Sequence, residues 1–564
     1  MFSSNKHTRL APPYVGVPAR GTRWFSFPIN AETRLTTVLI PSAAYISAEM
    51  QSELGRLPPV FLPIGNTWLL KEQLLCLEDL ATRIVLTLPQ DYAASSSQKM
   101  FLNDHAIDVH GLPDQQSLGE SIVWALNVAG VRDEPLIILH GDTYVSHLSS
   151  LQDDNFGVSR PQVETAWDTL SPQKPAKSHP QAEPDTKVVC GAFRFSSASG
   201  LITSILGSGG NFIAALDLYS REVADFRPVE MDRWLDFGHL NAFYNSRRQV
   251  STERAFNSVK MGRLTTKKSS DQSAKMAAEA HWFASIPGPL KIYTPAFVGT
   301  IKDADGNIRG YETETLYNLP LADLLVFSRI GVISWRQILK SCGEFLSACT
   351  DVEVPKIDAK QIEALYLKKT VDRLRQYQDQ TGFDIAHPIV VNGKALPSAL
   401  EMAEKACAVL KRHKPLFGVS HGDFCFSNIL YDFKAQRIKL IDPRGHLEQD
   451  APFIFGDIRY DLAKLAHSIL GRYDYIVADH YSFNQQSQYE FSLEIEDVPV
   501  AETLTAMFED TTFGGISPKR ADIRAITVLL FLSMLPLHSD RKDRQTAFLA
   551  NAGRLFSEFE LAGQ

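Results

Sequence analysis

Residues 420–430 read Ser420-His421-Gly422-Asp423-Phe424-Cys425-Phe426-Ser427-Asn428-Ile429-Leu430, and residues 438–445 read Ile438-Lys439-Leu440-Ile441-Asp442-Pro443-Arg444-Gly445. An Asp is followed five residues later by an Asn, and a second Asp closes an apolar strand pattern. Phosphoryl transfer needs such a set. A carboxylate orients and deprotonates the acceptor hydroxyl, and hard oxygen donors hold Mg²⁺ on the nucleotide phosphates. Any one of these residues alone reads as a helix cap or turn residue. Their order and spacing carry the chemistry.

Around this stretch, the chain from about Thr252 onward has a small strand-bearing part and then a helical one. Leu264–Lys268 predicts a strand, and Asp271–Ile286 a helix with Ser270 as its N-cap. Tyr311–Leu316 predicts a further strand. Long helical patterns then run over Ser334–Thr350, Ala359–Gln378, Ala399–Arg412, Ala521–Leu535 and Arg541–Leu561. The pattern at Ala359–Gln378 alternates charges and predicts a solvated face with ion pairs.

The set at 420–445 resembles that of the aminoglycoside phosphotransferase and choline kinase family, relatives of the protein kinases. Protein kinases carry His-Arg-Asp where this chain has His-Gly-Asp, which favours a small-molecule acceptor. The resemblance implies Asp423 as catalytic base, Asn428 and Asp442 as Mg²⁺ ligands, His421 as a brace for the loop, and Ser427 near the nucleotide. It further implies a pair between Lys268 and Glu279, aiming the ammonium at the ATP phosphates. Lys267 competes with Lys268, since strand alternation puts only one of them on the nucleotide face. Tyr311-Glu312-Thr313-Glu314 is similar to the hinge strand whose backbone binds the base, with Glu314 at its end. Gly456-Asp457-Ile458-Arg459-Tyr460-Asp461-Leu462-Ala463-Lys464 resembles the family's GDxxYDLAK helix start. No Gly-rich phosphate loop stands around Phe256–Gly262, so phosphate grip falls to Lys268 and Mg²⁺. The acceptor itself is not legible, and an aromatic and acidic box for a quaternary ammonium is one option.

Upstream, from Thr36 to about Arg248, short aliphatic runs alternate with helical patterns. Thr36–Pro41, Arg83–Leu88 and Pro135–His140 predict buried parallel strands, and Leu69–Ala81 and Ser117–Ala129 predict helices. This is the pattern of a doubly wound sheet. Leu151–Thr186, rich in Pro, Asp, Gln and Ser, predicts a mobile insertion. Asp142 ends the run Leu136–His140 after Gly141, and Asp236 stands in Trp234-Leu235-Asp236-Phe237-Gly238. Two carboxylates at a sheet's carboxyl edge suit a divalent metal that bridges nucleotide phosphates.

That arrangement resembles the sugar-phosphate nucleotidyltransferases, in which Asp142 and Asp236 would be metal ligands and Gly141 and Gly119 nucleotide contacts. Pro58–Leu70 lines up with the same family's PKPLLPVGGKPLL-like segment. Two departures matter. The family's Gly-rich turn is replaced here by Pro41-Ser42-Ala43-Ala44-Tyr45, whose side chains would crowd a triphosphate. Its Lys is replaced by Pro59, with Arg56 as a conceivable substitute.

The expected architecture is therefore α/β: a doubly wound, nucleotidyltransferase-like mixed sheet at 36–250, then a bilobal protein-kinase-like α+β domain at 251–564. Its small lobe would run to about 325 and its helical lobe from about 326, with an N-terminal extension at 1–35. The resemblances imply Mg²⁺ and ATP for the second domain, and CTP, UTP or GTP for the first. By analogy with fused kinase–pyrophosphorylases they imply an activated precursor for capsule or other surface polysaccharide.

Composition sets the outer bounds. With 564 residues the chain is long enough for several domains, and 57 basic against 65 acidic residues give no basic surplus for nucleic acid. Six scattered cysteines without CxxC spacing argue against a disulfide framework and a thiolate zinc site, and favour a reducing compartment. No signal-peptide pattern opens the chain. The longest apolar run, Ala525–Leu537, reads as too short for a bilayer and is broken by Pro536. A cytoplasmic enzyme of small molecules and nucleotides, without membrane insertion, is the expectation, with homo-oligomer formation left open.

Overall fold

The computed structural model describes residues 36–78, 80–113, 116–132, 134–160, 187–250, 258–357, 364–446, 451–496 and 499–561. The expected N-terminal extension, most of the expected insertion, the boundary near 251–257 and the start of the expected helix at 359 lie outside the described residues.

Thr37–Ile40 is an interior strand of the first sheet, and all four of its residues are buried. Its Thr-Val-Leu-Ile sequence lacks polar alternation because both faces are covered, one by a core around Val38, Ile40 and Leu70, the other by a core around Leu39, Ile122 and Phe193. Arg83–Pro89 and Leu136–Leu139 flank it in parallel, and Asp108–Leu112 continues the parallel run. On the other side Val188–Phe195 runs antiparallel to Leu136–Leu139, Asn155–Ser159 pairs antiparallel with it in turn, and Arg227–Glu230 closes the edge. The result is a mixed seven-stranded sheet. Asn155–Ser159 corrects part of the expected insertion. A five-residue Asn-Phe-Gly-Val-Ser run is too short for periodicity to show, yet Phe156 and Val158 are buried and neighbours pair with it on both sides. The helices Leu69–Leu77 and Leu118–Val128 pack on this sheet. The second starts at a capping box in which Ser117 and Glu120 satisfy each other's backbone N–H groups.

Beyond residue 258 a four-stranded antiparallel sheet forms from Ser258–Met261, Thr265–Ser269, Ile308–Glu314 and Phe297–Lys302. The helix Ser273–Ser285 packs against it. Gln272, not Ser270, is the residue that precedes this helix, and the Ser270 hydroxyl instead accepts the Gln272 N–H in the turn before it. The helical part includes Val332–Thr350, Lys369–Thr381, Ala399–Leu410, Ile458–Ile469, Ala521–Met534 and Lys542–Glu558. Cys342 and Cys349, seven residues apart on the first of these, are both buried core residues. A second four-stranded sheet, Lys394–Ser398, Pro388–Val391, Glu490–Ile495 and Tyr481–Ser487, is an addition the helical patterns concealed.

Ala521–Met534 with its following turn to His538 is 18 residues of mean hydropathy 1.5, long and apolar enough by composition to cross a membrane, contrary to the expectation from Pro536. Here 78% of it is buried within the protein, against Ala399–Leu410, Ile458–Ile469 and Lys542–Glu558. It is the core helix of this half.

Topology changes near residue 250, but packing does not. Met50, Leu54, Leu69, Phe237 and Phe243 belong to the same buried apolar cluster as Trp282, Phe345 and Phe531. At the joint, Arg329 N donates to Leu54 O (2.8 Å), Arg329 Nη2 donates to Ala93 O (2.6 Å), and Ser97 N donates to Glu496 Oε1 (2.8 Å). Gly55 is required there. At φ +74° it brings its backbone so near Arg329 that a Cβ would stand 2.1 Å from the Arg329 carbonyl oxygen.

Candidate active site

The strand Thr265–Ser269 puts Lys268 inward and Lys267 outward. Lys268 Nζ lies 2.7 Å from Glu279 Oε2 and 2.9 Å from Asp442 Oδ1, whereas Lys267 is exposed and only 3.9 Å from Glu312. Alternation had left the two lysines equal; the helix Ser273–Ser285 separates them by offering Glu279 to one face. Tyr311 donates a hydrogen bond to Glu279 Oε2 (2.9 Å), so the carboxylate is held from two sides. Burial raises the Glu279 carboxyl, with Lys268 opposing it, and the carboxylates of Asp442 and Glu279 hold the Lys268 ammonium up against its own burial. The ammonium stays charged.

Asp423, Asn428 and Asp442 converge on the same region. Asn428 Nδ2 donates to Asp423 Oδ2 (2.9 Å) and Asp423 O (3.0 Å), so its donor end is used inside the loop and Oδ1 remains as the acceptor end. Asp442 sits at φ +56°, a conformation few non-Gly residues hold, at the end of the strand Arg437–Leu440. Asn428 Oδ1 and the Asp442 carboxylate are hard oxygen donors of the type Mg²⁺ takes, so the residues present fit that ion.

The loop itself is braced from behind. Asp461 accepts His421 N (2.9 Å), Gly422 N (2.7 Å) and Ser420 Oγ (2.9 Å). Trp282 Nε1 donates to Ser420 O (2.8 Å), linking the small lobe to the loop. His421 is buried between Ile441 O (3.0 Å from Nε2) and Asp423 N, which donates to Nδ1 (3.3 Å). Burial lowers its imidazole to about 4, so it is a neutral brace. Gly445, at φ +68°, carries the next segment so close to the helix that a Cβ would meet Ala278 O at 2.1 Å. Ser427 is half-buried, its hydroxyl 3.5 Å from Asn428 Oδ1. Glu314 is exposed at the end of its strand, and its N–H is already donated to Ala296 O (2.8 Å), so a backbone donor for a base must come from chain beyond it.

Sequence reading missed what faces Asp423. Lys464, quoted within the helix-start motif without a role, places Nζ 2.8 Å from Asp423 Oδ1. Burial would raise the Asp423 carboxyl, but Lys464, Arg444 and its other partners outweigh burial and hold it well below the usual carboxylate range. Its place three residues after Asp461, on the helix face that meets the loop, was the available signal.

In the first sheet the carboxylate pair is also assembled. Trp234–Asp236 pairs antiparallel with Thr143–Val145, setting Asp236 opposite Thr143 and so beside Asp142. A Cβ on Gly238 would lie 2.6 Å from Asp142 Oδ2 and 3.3 Å from Asp236 Oδ1, so the absence of a side chain there leaves the space between the carboxylates open. Burial, and then the Asp236 charge, raise the Asp142 carboxyl to about 6. His239 Nδ1 lies 3.3 Å from Asp236 Oδ2, and that contact raises the imidazole. Gln73 fixes the turn by donating to both His140 O (2.9 Å) and Thr143 O (2.7 Å).

The other expected contacts of this half are engaged elsewhere. Gly119 serves packing, because a Cβ would stand 2.4 Å from Gly210 O. Gly141 donates its N–H to Pro41 O (3.1 Å) and lies where a Cβ would touch the Ser42 side chain at 2.8 Å. Ser42 N donates to Thr87 Oγ1 (3.0 Å), and Ser42 Oγ accepts Val60 N (3.3 Å). In the turn 41–45 Pro41 has no N–H to offer and Ser42 has committed its own to Thr87. Arg56 pairs with Asp91 (2.7 Å) and lies over the Tyr45 ring (3.9 Å), so it is not held in reserve for phosphate.

No protein-family model matches the chain, and no curated protein matches it. Solved structures similar to it include the inositol-1-phosphate CTP transferase from T. maritima, 14% identical, covering 40% of this chain and 99% of that one, with a TM-score of 0.30. They also include a choline/ethanolamine kinase family protein from Mesorhizobium loti, 12% identical, covering 55% of this chain and 88% of that one, with a TM-score of 0.31. At these scores the functional reading rests on the geometry above.

Proposed function

We infer that residues 258–561 form an ATP- and Mg²⁺-dependent kinase for a small hydroxyl-bearing metabolite, a sugar, polyol or amino alcohol. The observation that carries this is the convergence of Lys268–Glu279, Asp442 and Asn428 on one side of a loop whose Asp423 is held in place by Asn428 and Lys464. Lys268 would hold the ATP phosphates, with Glu279 fixing its position. Asn428 and Asp442 would hold Mg²⁺, which when bound neutralises charge on the phosphates. Asp423 would accept a hydrogen bond from the acceptor hydroxyl and pass its proton toward solvent. The acceptor oxygen forms its bond to the γ-phosphorus as the bond to the β-bridging oxygen breaks, and ADP leaves. With Lys464 beside it, Asp423 is a weak base, so its contribution is mostly orientation.

The Asp142–Asp236 pair supports coupling to nucleotidyl transfer from CTP, UTP or GTP. The product would be an NDP- or CDP-activated precursor such as surface polysaccharide assembly consumes. A second reading, a non-catalytic first half that binds a sugar nucleotide or partner, is favoured by Ser42 and Gly141 closing the phosphate turn.

The test is ADP formation with ATP, Mg²⁺ and an acceptor panel, then pyrophosphate release with each NTP and the phosphorylated product. Asp423→Ala should lower ADP formation by about 10³-fold or more, and an unchanged rate would end the kinase reading. Asp142→Asn should abolish pyrophosphate release and leave ADP formation intact. No pyrophosphate with any NTP, beside intact kinase turnover, leaves the second reading standing.

A further inference from the structure

Among the described residues, the buried cations Arg459 and Lys268 and the part-buried Arg247 are each matched by carboxylates. Arg459 is held by Asp457 (2.7 Å) and Asp522 (3.1 Å), and Lys268 by Glu279 and Asp442. Arg247 pairs with Asp323. The surroundings of Asp423 break the pattern. Arg444 Nη2 lies 2.8 Å from the Tyr460 hydroxyl, and Lys369 Nζ lies 3.2 Å from the same oxygen. The guanidinium and the ammonium also stand 4.7 and 5.5 Å from the Tyr460 ring. Among the described residues neither cation has a carboxylate within ion-pair distance, and a single phenol is all that lies between them.

Tyr460 is one turn before Lys464 on the helix Ile458–Ile469, and Lys464 pairs with Asp423. Arg373, one turn beyond Lys369 on Lys369–Thr381, acts on the same phenol. Four cations therefore share one neighbourhood with two carboxylates, the reacting Asp423 and Asp461, whose oxygens are taken by Ser420, His421 and Gly422 of the loop. Burial alone would raise the Tyr460 phenol, but Arg444, Lys369 and Lys464 outweigh it and bring it down to about 7, while burial and the neighbouring cations Arg444 and Lys464 lower Lys369. The Tyr460 shift reports the positive charge around the phenol, whereas that of Lys369 is led by its burial. Arg444 and Tyr460, but not Lys369, also line a narrow cavity of about 10 Å³, room for one water, with Ser420, Gly422 and Gly445 beside the loop that carries Asp423. The one carboxylate on its wall, Asp457, is already taken by Arg459, by Tyr366 OH (2.9 Å) and by Leu416 N (3.3 Å).

Two part-buried cations that share one hydroxyl and reach no carboxylate at ion-pair distance leave donor capacity that an incoming anion can take. We propose that the acceptor of the kinase is an anion: a hydroxyl-bearing molecule whose carboxylate or phosphate is bound by Arg444 and Lys369 at Tyr460, with its hydroxyl at Asp423. This rests on the kinase reading above and narrows its substrate class. It also replaces the aromatic and acidic box for a quaternary ammonium considered from the sequence, because the aromatic ring present is flanked by cations. The guanidinium fork suits a planar or tetrahedral oxyanion, and Lys369 adds a point charge.

The test has two parts. In turnover, matched acceptors are compared: a neutral sugar, its uronate, its phosphate ester and choline. The uronate or the phosphate ester should exceed the neutral sugar and choline by at least about 10-fold in kcat/KM. Lys369→Gln should remove about 10- to 100-fold from the anionic acceptor, chiefly in KM, and change the neutral one by less than about threefold. Whichever anion wins distinguishes carboxylate from phosphate. Neutral sugar or choline used as well as the anions, with Asp423-dependent ADP formation, overturns the anionic acceptor and keeps the kinase.

In binding, gluconate, glycerol phosphate and sorbitol are titrated by thermal shift against wild type, Lys268→Met and Lys369→Gln. Gluconate or glycerol phosphate should stabilise wild type and Lys268→Met alike, and Lys369→Gln only at about 10-fold higher concentration. Sorbitol should have no effect. No shift with either anion in wild type overturns the proposal even if turnover is never found, and a shift lost in Lys268→Met assigns the anion to the nucleotide side and overturns it too.

Discussion

Two carboxylate sites occupy the two halves of this chain, and they are finished to different degrees. At Asp423 each acid has a counterpart or a brace: Lys464 and Asn428 on the base, Lys268 on Asp442, and loop N–H groups on Asp461. At Asp142 and Asp236 two acids face one another with His239 at the side, and the nearby N–H groups of Ser42 and Gly141 are tied to Thr87 and Pro41. Both sites carry the tripeptide His-Gly-Asp, at 140–142 and 421–423. The difference teaches that the tripeptide specifies a tight turn that presents an acid, and that the surrounding donors decide what the acid can do.

The comparison can be broken most severely at Gly445. A methyl group there must displace Ala278 O, only 2.1 Å away, in a backbone at φ +68°. Gly445→Ala should cost about 2–4 kcal/mol and loosen the helix that carries Glu279. Denaturant unfolding and ATP-dependent turnover should therefore fall together. A variant of unchanged stability contradicts the close packing of loop on helix.

Asp142→Asn sharpens the other side. Asp142 is raised from 3.8 to about 6, so the folded state takes up a proton between those values and loses stability as pH rises through 6. Removing the acid should therefore stabilise the protein above pH 6, by about 1–2 kcal/mol, and have no effect below about pH 4. Thermal unfolding with a chelator present measures this. Equal or lower stability at pH 8 means that the pair is not in uncompensated repulsion.

The joint between the halves gives the smallest effect. Burial would raise Glu496, but His480 (2.8 Å) and the Ser97 N–H (2.8 Å) outweigh it and hold the carboxyl at about 2 against an ordinary 4.5. The stability this contributes is present above pH 4.5 and is lost as pH falls toward 2. Glu496→Gln should flatten that acid limb and lower neutral-pH stability by less than about 1 kcal/mol. An acid limb that is the same in both proteins places the pH sensitivity elsewhere.

Much of the fold was legible where the signal is local. Aliphatic runs such as Thr37–Ile40 and Arg83–Pro89 mark buried parallel strands, and Ser117 with Glu120 marks a helix start. Legibility failed where partners are distant in sequence. Asn155–Ser159 is a strand because Val188–Phe195 and Arg227–Glu230 hold it, and Pro388–Val391 because Glu490–Ile495 does. The kinase-like set could be read because its members keep fixed spacings, and the Lys267 or Lys268 choice waited only for Glu279 to arrive on one face. The cations at Tyr460 could not, since Lys369, Arg444 and Lys464 meet from three separate stretches. Nor could the shared core be read, because hydrophobic pattern shows that a face is buried and not which half of the chain buries it.

The central claim is that ATP belongs to the Lys268–Asp442 site and not to the Asp142–Asp236 pair. Isothermal titration of ATP with and without Mg²⁺ into wild type, Asp442→Asn and Asp142→Asn tests it directly. The account predicts Mg²⁺-dependent binding that weakens at least about 10-fold in Asp442→Asn and is unchanged in Asp142→Asn. Binding that survives Asp442→Asn and is lost in Asp142→Asn would contradict it.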